Sequence, residues 1–139
     1  MIQRIQTIHL LLSVIMGIVV AIMMLNADYY FCDTETGQSY GEIIRYSSIV
    51  LLTISVVLTG RSIFMYKRRP AQMRMVGFAT FVLVLNYALL AAGYLLDLIC
   101  TPWLYIISYL PLVCVIFNTL ARKRIRFDEN LVRSADRLR

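Results

Sequence analysis

The sequence predicts an all-α integral membrane protein, a four-helix antiparallel bundle followed by a short amphipathic cytoplasmic helix at the C-terminus. Apolar residues make up 60% of the 139 residues, whereas soluble chains contain about 45 to 50%. The mean hydropathy is +0.72, and the apolar residues fall into four blocks, each near the ~20 residues that cross a bilayer. Strands of a membrane β-barrel alternate apolar and polar residues, whereas both faces of every block here are apolar. The blocks are therefore predicted to be α-helices, whose backbone hydrogen bonds are satisfied within each helix.

The four predicted helices cover residues 5–25, 46–66, 75–96 and 102–121, within one domain of residues 1–139. No aspartate, glutamate or lysine lies inside any block. The first block exceeds the ~7 to 15 apolar residues of a cleaved signal peptide, so we expect it to be retained.

Two prolines mark the fourth block. Thr101 followed by Pro102 is the pattern of an N-cap and first helical residue, and it predicts the start of the helix. Pro111 lies inside the block, removes a hydrogen bond to Ile107 and predicts a bend there. Shaping of the bundle is the expected role of this bend, and a functional role is the alternative.

Charge is distributed unequally between the two ends of the predicted helices. Thirteen of the 14 Lys and Arg residues lie at one end and only Arg45 at the other, giving net charges of +10 and −4. The positive-inside rule therefore predicts that both termini are cytoplasmic and that residues 26–45 form an outer loop. We expect the basic groups to set topology and to contact anionic lipid headgroups. Specific docking of a nucleic acid or a protein is the alternative for these groups, and a nucleic acid is not among the partners we expect. These groups include Lys67, Arg68, Arg69, Arg74, Arg122, Lys123, Arg124, Arg126, Arg133 and Arg137.

The tail, residues 122–139, has its own periodicity. Leu131, Ala135 and Leu138 fall on one helical face, and Asp128 is a suitable N-cap. This pattern predicts a short amphipathic helix on the inner headgroup layer. A frayed tail and a partner-docking helix are the alternatives.

Topology separates the three cysteines. Cys32 and Cys100 lie on the predicted outer side, and Cys114 lies inside the fourth block. In an oxidising compartment a disulfide between Cys32 and Cys100 would join the two outer loops. Two unrelated thiols are the alternative.

Small and amide residues recur along the blocks at helical spacing, which indicates helix packing more than a substrate path. Asn86 is expected to hydrogen-bond a neighbouring helix, at roughly 0.6 to 2 kcal/mol. The packing residues are Ser13, Gly17 and Ala21 in the first block, Ser48, Ser55, Thr59 and Ser62 in the second, and Ala79, Asn86 and Gly93 in the third.

The residues that carry chemistry are sparse. His9 is the sole histidine and cannot by itself form a multi-histidine metal site or ligate haem on both sides. No nucleophile–base pair, metal cluster or cofactor motif is evident. We therefore expect neither enzymatic activity nor a cofactor.

Both ends of the chain carry recognisable motifs. The opening Met1-Ile2-Gln3-Arg4-Ile5-Gln6-Thr7 and the closing residues 128–139, Asp-Glu-Asn-Leu-Val-Arg-Ser-Ala-Asp-Arg-Leu-Arg, resemble a Bacteroidota family of small four-helix integral membrane proteins of unknown function. The basic turn at residues 67–69 also matches. The resemblance implies an inner-membrane, multi-pass protein and assigns no catalytic residues or outer disulfide.

Two functions follow as hypotheses. The first is a non-enzymatic component that binds or scaffolds another membrane protein, or a second copy of itself, through the basic turn and the tail. The second is a small transporter or channel for an uncharged or weakly charged solute, because no block contains a membrane-embedded carboxylate.

Overall fold

Four long helices make up the described chain. The computed structural model describes residues 2–26, 37–66, 68–96 and 102–137, with side chains at 6–26, 42–66, 68–96, 109–132 and 134, and no strand occurs among them. The helices are α1 (Ile2–Leu25), α2 (Gly37–Phe64), α3 (Arg69–Leu95) and α4 (Pro102–Arg137).

The first three helices begin before the apolar blocks that predicted them. α2 begins at Gly37, so its first nine residues belong to the segment 26–45 that was predicted as loop. α3 begins at Arg69, with Pro70 in its first turn, where a missing backbone N–H costs nothing. Hydropathy identifies only the apolar part of a helix. The helical backbone hydrogen bonds of α2 and α3 also include polar residues that precede this part.

α4 is the longest element and continues through the tail. Its 36 residues span about 54 Å, well beyond the ~30 Å of a hydrocarbon layer. The predicted separate amphipathic helix is therefore wrong, and Asp128 lies inside α4 rather than at an N-cap. Residues 112–137 contain neither glycine nor proline, so nothing in them interrupts the helix. Pro111 is buried within α4, and the bend there stays a prediction.

Each helix packs against two others. The main contacts join α1 with α2, α2 with α3, α3 with α4, and α4 with α1. Two apolar clusters fill the space between them. One cluster consists of Val20, Met24, Leu52, Leu83, Leu90 and Cys114. The other consists of Leu10, Val76, Ala121 and Ile125, and it joins the start of α1 to the later part of α4.

The distribution of polar and apolar side chains differs from that in a soluble protein. Large apolar residues such as Ile15, Val57 and Phe81 are exposed along the helices, whereas small polar residues such as Ser48 and Asn86 are fully buried. By length and composition, α1, α2 and α3 can each cross a membrane, over Gln6–Leu25, Glu42–Phe64 and Arg69–Leu95. For α4, side chains 102–108 lie outside the described residues.

Candidate functional site

A line of buried polar groups, which we call the polar seam, runs through the interior. The side-chain amide of Asn86 on α3 donates from Nδ2 to the backbone oxygen of Ser48 at 2.9 Å and to Ser48 Oγ at 2.8 Å. Both residues are fully buried. The amide therefore connects α3 to α2 by two hydrogen bonds in the interior, where an unpaired polar group is costly. The seam consists of Ser13, Ser48, Ser55, Thr59, Ser62, Asn86 and Asn118.

The second amide of the seam connects α4 to α2. Asn118 Nδ2 donates to Thr59 Oγ1 at 3.4 Å, and both side chains are buried. The Oδ1 atoms of Asn86 and Asn118 have no hydrogen-bond partner among the described residues. Each amide can accept hydrogen bonds through that oxygen, so the seam retains two buried acceptor positions.

Two further hydroxyl groups of the seam, those of Ser55 and Ser13, contact backbone carbonyls of neighbouring helices. Ser55 Oγ donates to the oxygen of Ala79 at 3.3 Å. Ser13 Oγ lies 3.5 Å from the oxygen of Cys114, and Cys114 Sγ lies 3.7 Å from the oxygen of Ser13. Because these side chains are short, the backbones of the paired helices come close together.

α1 and α2 approach each other closely at Gly17. A Cβ placed at Gly17 would lie 2.5 Å from Val56 Cγ2, well inside van der Waals contact. Ala21, one turn further along α1, is half-buried. On α3, Ala79 and Gly93 are both buried.

Among the described side chains at the end of the bundle that carries most of the basic residues, the carboxylate of Asp128 is buried. Gln6 Nε2 on α1 donates a hydrogen bond to Asp128 Oδ2 on α4. Arg69 Nη1 on α3 lies 3.4 Å from the backbone oxygen of Asp128. Three helices are thus joined around Asp128, which lies seven residues beyond the predicted fourth apolar block.

The other basic residues predicted to contact lipid or a partner are spread around this end. Arg68, Arg74, Arg122, Lys123, Arg124 and Arg126 are exposed. The side chains of Lys67, Arg133 and Arg137 lie outside the described residues. So do Cys32 and Cys100, and their disulfide stays a prediction.

His9 packs against an aromatic ring. Its ring centroid lies 6.1 Å from that of Phe117, and the two planes are inclined by 24°. Its Nδ1 is buried and has no hydrogen-bond partner among the described residues. Among all the residues that the structure describes, no three His, Cys, Asp or Glu side chains are close enough to hold a metal ion.

A family model described as a domain of unknown function, DUF4293, matches residues 2–138. The chain belongs to the DUF4293 family. The resemblance of its two ends to a family of unknown function is thereby confirmed. No curated protein and no solved structure matches the chain.

Two contacts in this DUF4293 member were missed by sequence reasoning. Asn118 is an amide inside the fourth block, as Asn86 is inside the third, and the same signal identifies both as interior hydrogen-bonding residues. The contact of Gln6 with Asp128 joins residues 122 positions apart. Asp128 also fits the pattern of an N-cap, so its local sequence points to a different role.

Proposed function

We propose that the protein is a non-enzymatic, multi-pass component of the bacterial inner membrane that binds another membrane protein through the cytoplasmic part of α4. The exposed apolar surface of α1, α2 and α3 supports insertion in a bilayer. The concentration of basic residues at one end supports cytoplasmic termini. The family resemblance of the chain ends supports the inner membrane.

Paired contacts support an antiparallel arrangement. Gln6 near the start of α1 contacts Asp128 near the end of α4, and Ser13 contacts Cys114, which comes earlier in α4. Residue numbers therefore rise along α1 as they fall along α4.

The observation that carries the proposal is an exposed apolar pair on the part of α4 beyond the apolar block. Phe127 is 53% exposed and Leu131 is 47% exposed. At spacing i, i+4 they lie on one helical face. Ile125 and Asp128, in the same segment, contact the bundle. The pair is therefore presented on a helix that is already ordered.

The charge beside this pair indicates the chemistry of the partner. Lys123, Arg124 and Arg126 are exposed within one turn of Phe127. A partner segment with apolar residues and neighbouring carboxylates complements both features. We infer that the partner is a membrane protein with an acidic amphipathic segment on its cytoplasmic side.

The test is capture of partners from detergent-solubilised membranes after mild cross-linking, identified by mass spectrometry. The double variant F127S/L131S should lose the partner that the wild-type chain retains. The matched control is L95S/L96S. Leu95 is the last residue of α3 and Leu96 follows it, and the two side chains are 85% and 67% exposed. Equal partner recovery from both variants would contradict the proposed face. Capture of only a second, differently tagged copy would assign the face to self-association.

The polar seam favours a second candidate, a small transporter or channel for an uncharged or weakly charged solute. The unpartnered Oδ1 atoms of Asn86 and Asn118 could accept hydrogen bonds from water or a solute. The test is labelling of N86C, in a variant with the native cysteines changed to serine, by a water-soluble maleimide. Labelling in intact membranes would support an aqueous path, and complete protection would exclude one that reaches Asn86.

A further inference from the structure

An open groove of about 850 Å³ lies where the basic end of the bundle meets its apolar surface. α3 forms its floor, with Arg74, Gly77 and Phe78 along it. α2 contributes an apolar wall and α4 contributes Arg122. We propose that this groove binds one anionic phospholipid, with the phosphate at Arg74 and Arg122 and an acyl chain along the aromatic side chains. The site is independent of the proposed protein contact at Phe127 and Leu131.

The two arginines are available for a ligand. Both are exposed, and within the part of the chain that the structure describes neither guanidinium has a hydrogen bond or an ion pair. Arg69 differs, since its guanidinium contacts the backbone of Asp128. Two unpaired guanidinium groups beside one groove are complementary to a phosphodiester, which arginine binds through parallel N–H donors.

The guanidinium of Arg122 packs directly against Gly77. The guanidinium Cζ lies 3.3 Å and Nη1 lies 3.4 Å from where a Cβ of Gly77 would be. A side chain at position 77 would therefore compete with the guanidinium for this space. Arg74 lies three residues before Gly77 on α3, about one turn away. The glycine thus lets a side chain from α4 lie on the surface of α3 near Arg74.

The rest of the groove is apolar. Phe78 and Phe81 are 69% and 65% exposed, and with Arg74 they occupy positions i, i+4 and i+7 on one face of α3. Leu58 and Met65 line the facing side. One end of the groove is thus cationic, and the length that follows is lined by aromatic and aliphatic side chains. A phospholipid has this same order of groups, whereas a soluble phosphate would leave the apolar part unfilled.

The test is lipid binding to the purified full-length chain in detergent, measured by native mass spectrometry during titration with phosphatidylglycerol. The variant R74Q/R122Q should bind this lipid about 30-fold more weakly, taking the usual contribution of each basic residue near a membrane surface. The control K123Q/R126Q removes the same charge from α4 outside the groove and should stay within about twofold of wild type. Phosphatidylcholine, which has no net charge, should bind the wild-type chain weakly.

Three results would overturn the proposal. Equal weakening in R74Q/R122Q and K123Q/R126Q would show a diffuse charge effect. Equal binding of phosphatidylcholine would show that the arginines do not select the headgroup. Full displacement of the lipid by glycerol phosphate at equal concentration would assign the arginines to a soluble anion. A fourth measurement tests the glycine directly: G77L should weaken phosphatidylglycerol binding, and unchanged binding would show that the position of Arg122 over Gly77 is not required.

Discussion

The contact between Gly17 and Val56 shows how a single residue sets the distance between two helices. A Cβ at position 17 would lie 2.5 Å from Val56 Cγ2. Valine in a helix is largely restricted to one rotamer, so its methyl group cannot easily turn away. The separation of α1 and α2 therefore depends on the absence of a side chain at Gly17.

Substitution of Gly17 by alanine should destabilise the bundle by about 1 to 3 kcal/mol, the usual cost of an extra group in a packed interior. The measurement is reversible unfolding in mixed micelles. The second change V56A removes the conflicting methyl groups, so G17A should be less destabilising in the V56A background than in the wild type. If G17A costs the same in both backgrounds, the close approach does not limit packing.

Asn86 provides a second prediction at the level of one side chain. N86L removes both hydrogen bonds to Ser48 and should destabilise by about 0.6 to 2 kcal/mol, as for other interhelical hydrogen bonds in membranes. S48A leaves the bond to the backbone oxygen in place and should cost less. Unfolding in mixed micelles measures both. An effect of S48A as large as that of N86L would show that the hydroxyl, not the carbonyl, is the main acceptor.

At the level of the element, α4 packs against the bundle from Pro111 to Asp128, where a buried residue recurs every three or four positions. Ile125 is fully buried in the cluster with Leu10, Val76 and Ala121. Phe127, two residues later, is exposed. The two side chains therefore allow a matched comparison of packing on the two faces of the same segment.

I125A should destabilise by about 2 to 5 kcal/mol because it leaves a cavity in a filled cluster. F127A should change stability by no more than about 0.5 kcal/mol, as is usual for a surface substitution. Thermal unfolding of the detergent-solubilised protein measures both. Equal stability of the two variants would mean that the later part of α4 separates from the bundle in solution.

The sequence predicted the ends of the first three helices better than their starts. Predicted ends at residues 25, 66 and 96 compare with Leu25, Phe64 and Leu95, because each helix ends within two residues of the end of its apolar block. The starts of α2 and α3 came earlier than predicted, because Gly37–Arg45 and Arg69–Arg74 are polar and hydropathy does not identify polar turns of helix.

For the interior, the sequence predicted which residues of a helix are buried together but not the residues that they contact on other helices. Periodicity shows which residues share a face of one helix, so the buried serines of α2 could be grouped from sequence. Periodicity does not show which helix lies opposite, so the partner of Asn86 could not be specified. The contact of Gln6 with Asp128 depends on the lateral packing of α1 and α4, and nothing local to either residue encodes it.

For the whole molecule, the testable property is the orientation that we propose for it in the membrane. Thirteen basic residues at one end and one at the other predict cytoplasmic termini. Green fluorescent protein fused after Arg139 should fluoresce, and alkaline phosphatase at the same site should be inactive. A variant with the basic residues at 67–69 and 122–126 changed to glutamine should show mixed orientation. Active phosphatase on the wild-type chain would reverse the topology.

The unbroken course of α4 has a mechanical consequence. Residues 112–137 contain neither glycine nor proline, so Asn118, in contact with Thr59, and Asp128, in contact with Gln6, belong to one stiff rod and lie about 15 Å apart along it. Such a rod shifts or rotates as a unit. A force applied at Phe127 would therefore strain the hydrogen bond between Asn118 and Thr59. In this way a load on the surface of α4 would be transmitted to the interior while α4 keeps its helical conformation.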